Sequence, residues 1–202
     1  MVFYYAFILT PNAPLKFWFA FSSAIWLFRF VPTLKIGLPP LDDWRSSTMG
    51  MLYAVTIIVT FAAILVFFQV SAVYLLSVLA LVWIADIGAY FSGKTFGKRK
   101  LAPTISPGKS WEGAIGGGIA VLVLSSLFVV LGAQALPDTF VVHLQARLGW
   151  VGMLGVLFVL TAASVVGDLF ESQLKRRAGV KDSSNLPLDF FINPILNYRH
   201  SL

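Results

Sequence analysis

Asp168, Ser172 and Lys175 stand at i, i+4 and i+7 within SVVGDLFESQLKRRAGVKDSSN (164–185). That spacing puts a carboxylate, a hydroxyl and an ammonium on one face of a helix, and Arg176 joins them four residues after Ser172. A carboxylate able to hold Mg²⁺ beside cations able to neutralise phosphate is the set that phosphoryl transfer uses. The metal bridges phosphate oxygens while Lys and Arg offset charge on the leaving group. The plainer alternative is that Glu171 simply pairs with Lys175 one turn further on.

A second candidate stretch is KLAPTISPGKSWEGAIGGG (100–118). Here Ser106-Pro107-Gly108 reads as a turn, Lys109 as a flexible point cation, and Ser110 as a helix N-cap with Gly113 at N3. Backbone N–H groups at such a helix start, together with Lys109, can receive phosphate oxygens. An ordinary helix entry with a lysine reaching to lipid headgroups accounts for the same residues.

A third stretch, GAYFSGKT (88–95), matches the phosphate-loop pattern G-x-x-x-x-G-K-[ST] at Gly88, Gly93, Lys94 and Thr95. A P-loop follows a strand and opens a helix. Gly88 to Phe91 instead continue the apolar run VSAVYLLSVLALVWIADIGAYF, and Gly97 and Pro103 disfavour a long helix after it. The P-loop reading therefore fails. Asp86 lies in the same run, about 7–8 Å inside its expected end at 1.5 Å per residue. A carboxylate at that depth is costly unless partnered. It either makes an interhelical polar contact or lines a polar cavity.

These groups are carried by unusually apolar segments. Of the 202 residues, 58% are hydrophobic and only 12% charged, with a net charge of +6; soluble domains carry about 25% charged residues. No Asp, Glu, Lys or Arg falls between Arg45 and Asp86, from Gly113 to Pro137, or from Leu148 to Gly167. A bilayer-spanning helix needs about 20 apolar residues. The expectation is an all-α, polytopic transmembrane helical protein with spans near 49–68, 70–91, 115–136 and 150–168. Gly116, Gly117 and Gly118 open the third span, where small residues let helices approach closely.

Apolar pieces at 1–10 and 17–30 are interrupted by Pro11, Asn12 and Pro14, which suggest a helix break or re-entrant turn. Phe17 to Phe28 is too short to span alone, and a polar loop is expected over 32–47. The N-terminus lacks a basic n-region and a small-x-small cleavage site, so it reads as mature chain, or as a start part-way into a longer parent. Cysteine is absent, which excludes disulfides, thiolate metal sites and a Cys nucleophile.

Five of the 15 Lys and Arg lie in 92–112 and four in 169–185, with two spans between. Both segments therefore emerge on one side, and the positive-inside rule puts that side in the cytoplasm.

WIADIGAYFSGKTFGKRKLAPTISPGKSWEGAIGG and VVGDLFESQLKRRAGVKDSSNL closely resemble bacterial phosphatidate cytidylyltransferase, the CDP-diacylglycerol synthase family, over about residues 75–186. The signature S-x-[hydrophobic]-K-R-x₄-K-D-x-[GSA] is met by Ser172, Leu174, Lys175, Arg176, Lys181, Asp182 and Ser184. The resemblance implies conversion of CTP and phosphatidate to CDP-diacylglycerol and pyrophosphate, with Mg²⁺, at the cytoplasmic face of a bacterial inner membrane. It implies Asp168 as metal ligand and catalytic residue with Lys175 and Arg176. Asp86, Ser106, Lys109, Ser172, Lys181 and Asp182 are the implied substrate contacts.

The expected partners are CTP, phosphatidate and membrane lipids but no nucleic acid, with a homodimer left open. The family signature continues with H-G-G and D-R-x-D, whereas this chain reads PLDFFINPILNYRHSL from Pro187. The expectation is a membrane-embedded domain over 1–186, followed at 187–202 by an aberrant tail from a truncated or frame-altered gene end. Such a chain holds half a metal site and little activity. A CTP- or ATP-dependent lipid kinase, an anion transporter coupled through Asp86, and a non-catalytic remnant are the competing readings.

Overall fold

The computed structural model describes residues 13–40 and 42–179. Lys181, Asp182 and the whole of 187–202 lie outside the described residues. The elements are α1 (Ala13–Ile25), a π-helical turn (Trp26–Phe30), α2 (Thr33–Ile36), α3 (Trp44–Val70), α4 (Ala72–Phe96), strands β1 (Lys100–Ala102) and β2 (Ser106–Ser110), α5 (Trp111–Leu131) and α6 (Phe140–Arg177). Five helical stretches are long and apolar enough to cross a membrane: Pro14–Ile36, Trp44–Val70, Ala72–Phe96, Trp111–Leu131 and Phe140–Arg177. The protein is an all-α, multi-pass membrane protein.

The four expected spans are present with shifted ends: α3 and α6 extend past both expected ends, α4 starts at Ala72 and runs on to Phe96, and α5 both starts and stops earlier than 115–136. The N-terminal region corrects the sequence reading. Pro14 falls in the first turn of α1, where a missing N–H costs nothing. The Val31 N–H reaches back to Trp26 O at 2.9 Å, an i→i+5 bond that carries the helix through a wide turn towards α2. Phe17–Phe28 is thus part of a 23-residue stretch and not too short to span. The expected 32–47 loop is instead helical at Thr33–Ile36 and from Trp44 onward, where Asp43 caps α3 by accepting the Arg45 N–H at 3.0 Å.

A single extended residue, Ser71, separates α3 from α4 and caps the latter through the Val73 N–H at 3.1 Å. Beyond α5 the chain re-enters helix at Phe140, inside the expected 137–149 loop. The break comes at Gly149, whose φ of +65° favours glycine. Residues 150–177 would run about 42 Å at 1.5 Å per residue, longer than the roughly 30 Å hydrocarbon core. The end of α6 therefore projects from the bilayer with its basic residues.

In lipid there is little hydrophobic gain from helix association, so packing contacts decide it. Outward residues such as Ile58, Phe61, Val130 and Val151 are exposed, as a lipid-facing surface requires. The tightest seam is α4 against α5. A Cβ on Gly88 would lie 2.7 Å from the Ala120 Cβ, one on Gly113 2.9 Å from the Ala89 carbonyl, and one on Gly117 2.5 Å from the Ala85 carbonyl. A Cβ on Gly116 would collide with the Ser92 side chain, whereas Gly118 faces α6 with ordinary room beside Thr161.

Two apolar clusters hold the remaining helices. Ala85, Val121, Val141, Met153 and Leu157 join α4, α5 and α6. Nearer the basic end, Phe170 of α6 packs on Trp26, Phe30 and Tyr53 with ring centroids 5.2, 4.9 and 5.6 Å away, tying the N-terminal span and α3 to α6.

The seam gives a matched pair of expected outcomes. Gly117→Ala forces backbone apart and destabilises by about 1–3 kcal/mol, as overpacking does. Gly118→Ala is neutral or gains up to about 1 kcal/mol from helix propensity. Thermal unfolding in detergent measures both; equal melting temperatures would contradict the seam.

Candidate functional site

The site forms where three separate segments converge at one end of the bundle. α4 ends at Phe96, with the Gly97 N–H bonded to Gly93 O at 3.0 Å. The expected turn at Ser106-Pro107-Gly108 is corrected: these residues are strand β2, antiparallel to β1 with Lys100 opposite Ser110, and the reversal occurs at 103–105. Pro103 is compatible with that reversal because it needs no donor there.

The hairpin is tied down on both sides. The Glu112 carboxylate accepts the backbone N–H groups of Lys98 at 3.1 Å and Arg99 at 3.2 Å, and the Trp111 N–H donates to Arg99 O at 3.0 Å. Ser110 caps α5 as expected, its Oγ accepting the Gly113 N–H at 3.1 Å. From the other side, Arg176 Nε donates to the Ile105 carbonyl at 3.3 Å.

Lys109, on β2, reaches across to form an ion pair with Asp168 of α6. The two stretches singled out in the sequence thus meet at one end of the bundle, as the even number of intervening spans requires. The Lys109 ammonium nitrogen is closed off from solvent and has no other hydrogen-bonding group among the described residues. An ammonium has three donors, so most of its capacity is unused.

Between α4, the hairpin, α5 and α6 lies a cavity of about 470 Å³. Its charged lining is Asp86, Lys94, Lys109 and Asp168, with Tyr90, Ser110, Thr161 and Ser164 adding polar groups. Asp86 sits ten residues before the end of α4, so about 15 Å from it at 1.5 Å per residue, deeper than the sequence suggested. It lines the cavity close enough to Asp168 and Lys109 to interact electrostatically with both, and forms no ion pair among the described residues.

The two carboxylates suit a divalent cation. Mg²⁺ is ordinarily held by one or two carboxylates plus substrate phosphates and water rather than by an all-protein cage. No group of three or more His, Asp or Glu residues that could cage a metal occurs among the described residues. Asp86 and Asp168 fit that pattern.

Other expected site residues lie elsewhere. Lys175 pairs with Glu171 at 2.7 Å, the plain i,i+4 arrangement. Ser172 and Ser106 are outside the cavity lining. Arg176 is also outside it and secures the hairpin. Sequence reading missed Tyr90 and Lys94 as cavity residues, although they follow Asp86 at i+4 and i+8 on one side of α4. It also missed the latch in which Gln173 Nε2 donates to Thr33 O at 2.7 Å, a pairing 140 residues apart with no local signal.

The hairpin anchoring predicts that Glu112→Ala speeds amide exchange at Lys98 and Arg99 severalfold while exchange in α3 stays unchanged. Hydrogen exchange read by mass spectrometry checks it, and unchanged protection of 98–99 would contradict the anchoring.

Comparison with known proteins identifies the family. Phosphatidate cytidylyltransferase of Haemophilus influenzae is 53% identical over 113 residues, covering 55% of this chain and 36% of the relative. That of Mycobacterium tuberculosis is 39% identical over 142 residues, covering 70% and 39%. That of Bacillus subtilis is 37% identical over 118 residues, covering 58% and 39%. The chain therefore spans well under half the length of these curated relatives. No solved structure matches it significantly. The profile of the cytidylyltransferase family matches residues 1–187, the whole described bundle included, and the chain belongs to that family.

Proposed function

We propose that the cavity is the site of a phosphatidate cytidylyltransferase, which makes CDP-diacylglycerol and pyrophosphate from CTP and phosphatidate. The observation that carries this reading is the meeting of Lys109 and Asp168, from two distant signature stretches, in one cavity beside Asp86 and between membrane spans. A lipid substrate calls for a site within the membrane, and a nucleotide calls for a basic mouth. The basic end would face the cytoplasm, where CTP is present.

In this reading an oxygen of the phosphatidate phosphate attacks the α-phosphorus of CTP. A new phosphoanhydride bond forms, the α–β bond breaks, and pyrophosphate leaves with the electron pair. No protein nucleophile is required. Asp168 and Asp86 would hold Mg²⁺, which supplies Lewis-acid stabilisation of the phosphate oxygens when bound. Lys109 would place its unused donors on a phosphate, with Asp168 fixing its position. Arg176 acts through the hairpin, by holding the turn that precedes Lys109.

Two assays follow. The chain is measured alone and joined to a relative's segment carrying H-G-G and D-R-x-D, with CTP, phosphatidate and Mg²⁺, for CDP-diacylglycerol and pyrophosphate. In the joined form Asp168→Asn should lower turnover about 10²–10³-fold, the usual effect of losing one catalytic electrostatic group. Glu171→Gln should change it no more than about twofold, as expected for an exposed i,i+4 pair. Equal losses at both positions, or pyrophosphate release without the lipid product, would sink the assignment. Cysteines placed at Lys98 should label only from the cytoplasmic side; labelling from the opposite side would overturn the orientation.

A further inference from the structure

The lysine of the failed P-loop match lines the same cavity as Lys109, from α4 rather than from β2. Lys94 lies in the last turn of α4, where a cation is favoured by the helix dipole. Its ammonium stands over the Tyr90 ring, 5.8 Å from the centroid, and Tyr90 also lines the cavity. Among the described residues Lys94 makes no ion pair, whereas Lys109 is engaged by Asp168. Of the four charged cavity groups, two carboxylates and one lysine are thus electrostatically coupled, and Lys94 is the cation without a carboxylate partner.

We propose that Lys94, steered by the Tyr90 ring, is a phosphate-binding residue of the cavity and takes the leaving pyrophosphoryl portion of the nucleotide. This rests on the cytidylyltransferase reading of the same site. The charge balance favours it. Asp86, Asp168, Lys94 and Lys109 sum to zero, so an incoming polyphosphate meets net attraction through bound Mg²⁺ and through Lys94, the cation no carboxylate offsets, while Lys109 adds hydrogen-bond donors. Lys109 comes from the hairpin and is fixed by the Asp168 carboxylate of α6. Lys94 is exposed and faces the cavity from the α4 side, so the two lysines can grip different phosphates of one chain. A cation–π contact holds the ammonium without neutralising it, unlike a carboxylate. The resemblance to a P-loop is therefore accidental in backbone, while the lysine still meets phosphate.

The test compares Lys94→Ala, Lys94→Arg and Tyr90→Leu with Lys98→Ala, a basic-rim lysine whose side chain lies outside the cavity. Calorimetry on the 202-residue chain in detergent reads binding of Mg·pyrophosphate and Mg·CTP, with thermal unfolding confirming that each variant folds. Losing one charge-assisted hydrogen bond to a phosphate should weaken both ligands about tenfold to a hundredfold in Lys94→Ala. Lys94→Arg should keep most of the affinity, Tyr90→Leu should fall between, and Lys98→Ala should match wild type.

The assignment is overturned if Lys94→Ala binds like wild type, if Lys98→Ala loses as much, or if wild type binds no pyrophosphate. In the joined, active form, Lys94→Ala should raise KM for CTP and not for phosphatidate in mixed vesicles. A rise for phosphatidate alone would transfer Lys94 to the lipid headgroup and overturn the nucleotide assignment. If pyrophosphate binding depends on Lys94 but no CDP-diacylglycerol is ever made, the phosphate site stands and the cytidylyltransferase reading falls.

Discussion

The contact between α4 and α5 is made by backbone on backbone, and the cavity depends on it. Gly117 presents its Cα to the carbonyl of Ala85, and Gly113 does the same to Ala89. In a bilayer, where apolar side chains lose nothing by facing lipid, such close approach supplies the dispersion contacts that hold two helices together. The seam also sets the floor of the cavity. Asp86 directly follows Ala85, and Gly93 and Gly113 lie towards its mouth, so the small residues that close the helices also leave room beside them.

A second constraint fixes α6 against this pair. Its end carries Phe170 in an aromatic cluster with Trp26, Phe30 and Tyr53, and Gln173 bonded twice to Thr33, by its amide nitrogen to the carbonyl and by its oxygen to the hydroxyl. Arg177 continues the series to the Ser46 hydroxyl. The polar groups of the α6 exit thus alternate between securing the N-terminal spans and securing the hairpin, through Arg176. Asp168 lies two residues before that anchored stretch begins at Phe170, which is what allows a long, exposed-ended helix to present a carboxylate to Lys109 at a defined place.

The electrostatics of the site follow from burial on one side and openness on the other. Lys109 has its charged nitrogen shut away, with one carboxylate and spare donors. An unpaired ammonium in such a place would be costly, and Asp168 compensates it. A carboxylate has several lone-pair sites, so this pairing leaves Asp168 with acceptor capacity to spare. Lys94 and Tyr90 are both exposed and need no such compensation.

Much of this was determined by the sequence alone. Uncharged stretches of span length dictate transmembrane helices because backbone polar groups in lipid must bond within their own segment. Ser110 as a cap, Glu171 with Lys175, and the glycine-rich start of α5 are local in chain, so spacing alone reveals them. Periodicity could not deliver what depends on residues far apart. The N-terminal span was missed because a π-helical turn carries it past Phe30 and tertiary packing on Phe170 holds it there. The hairpin was missed because its strands are short and its stability comes from Glu112 and Arg176 rather than from strand propensity. Ser172 and Lys175 share the helical face of Asp168, yet only the tertiary structure decided that the cavity opens to Asp168, Lys94 and Asp86. The crossing of α4, α5 and α6 is set by close packing, and one-dimensional spacing carries no information about which side of a helix another helix will cover.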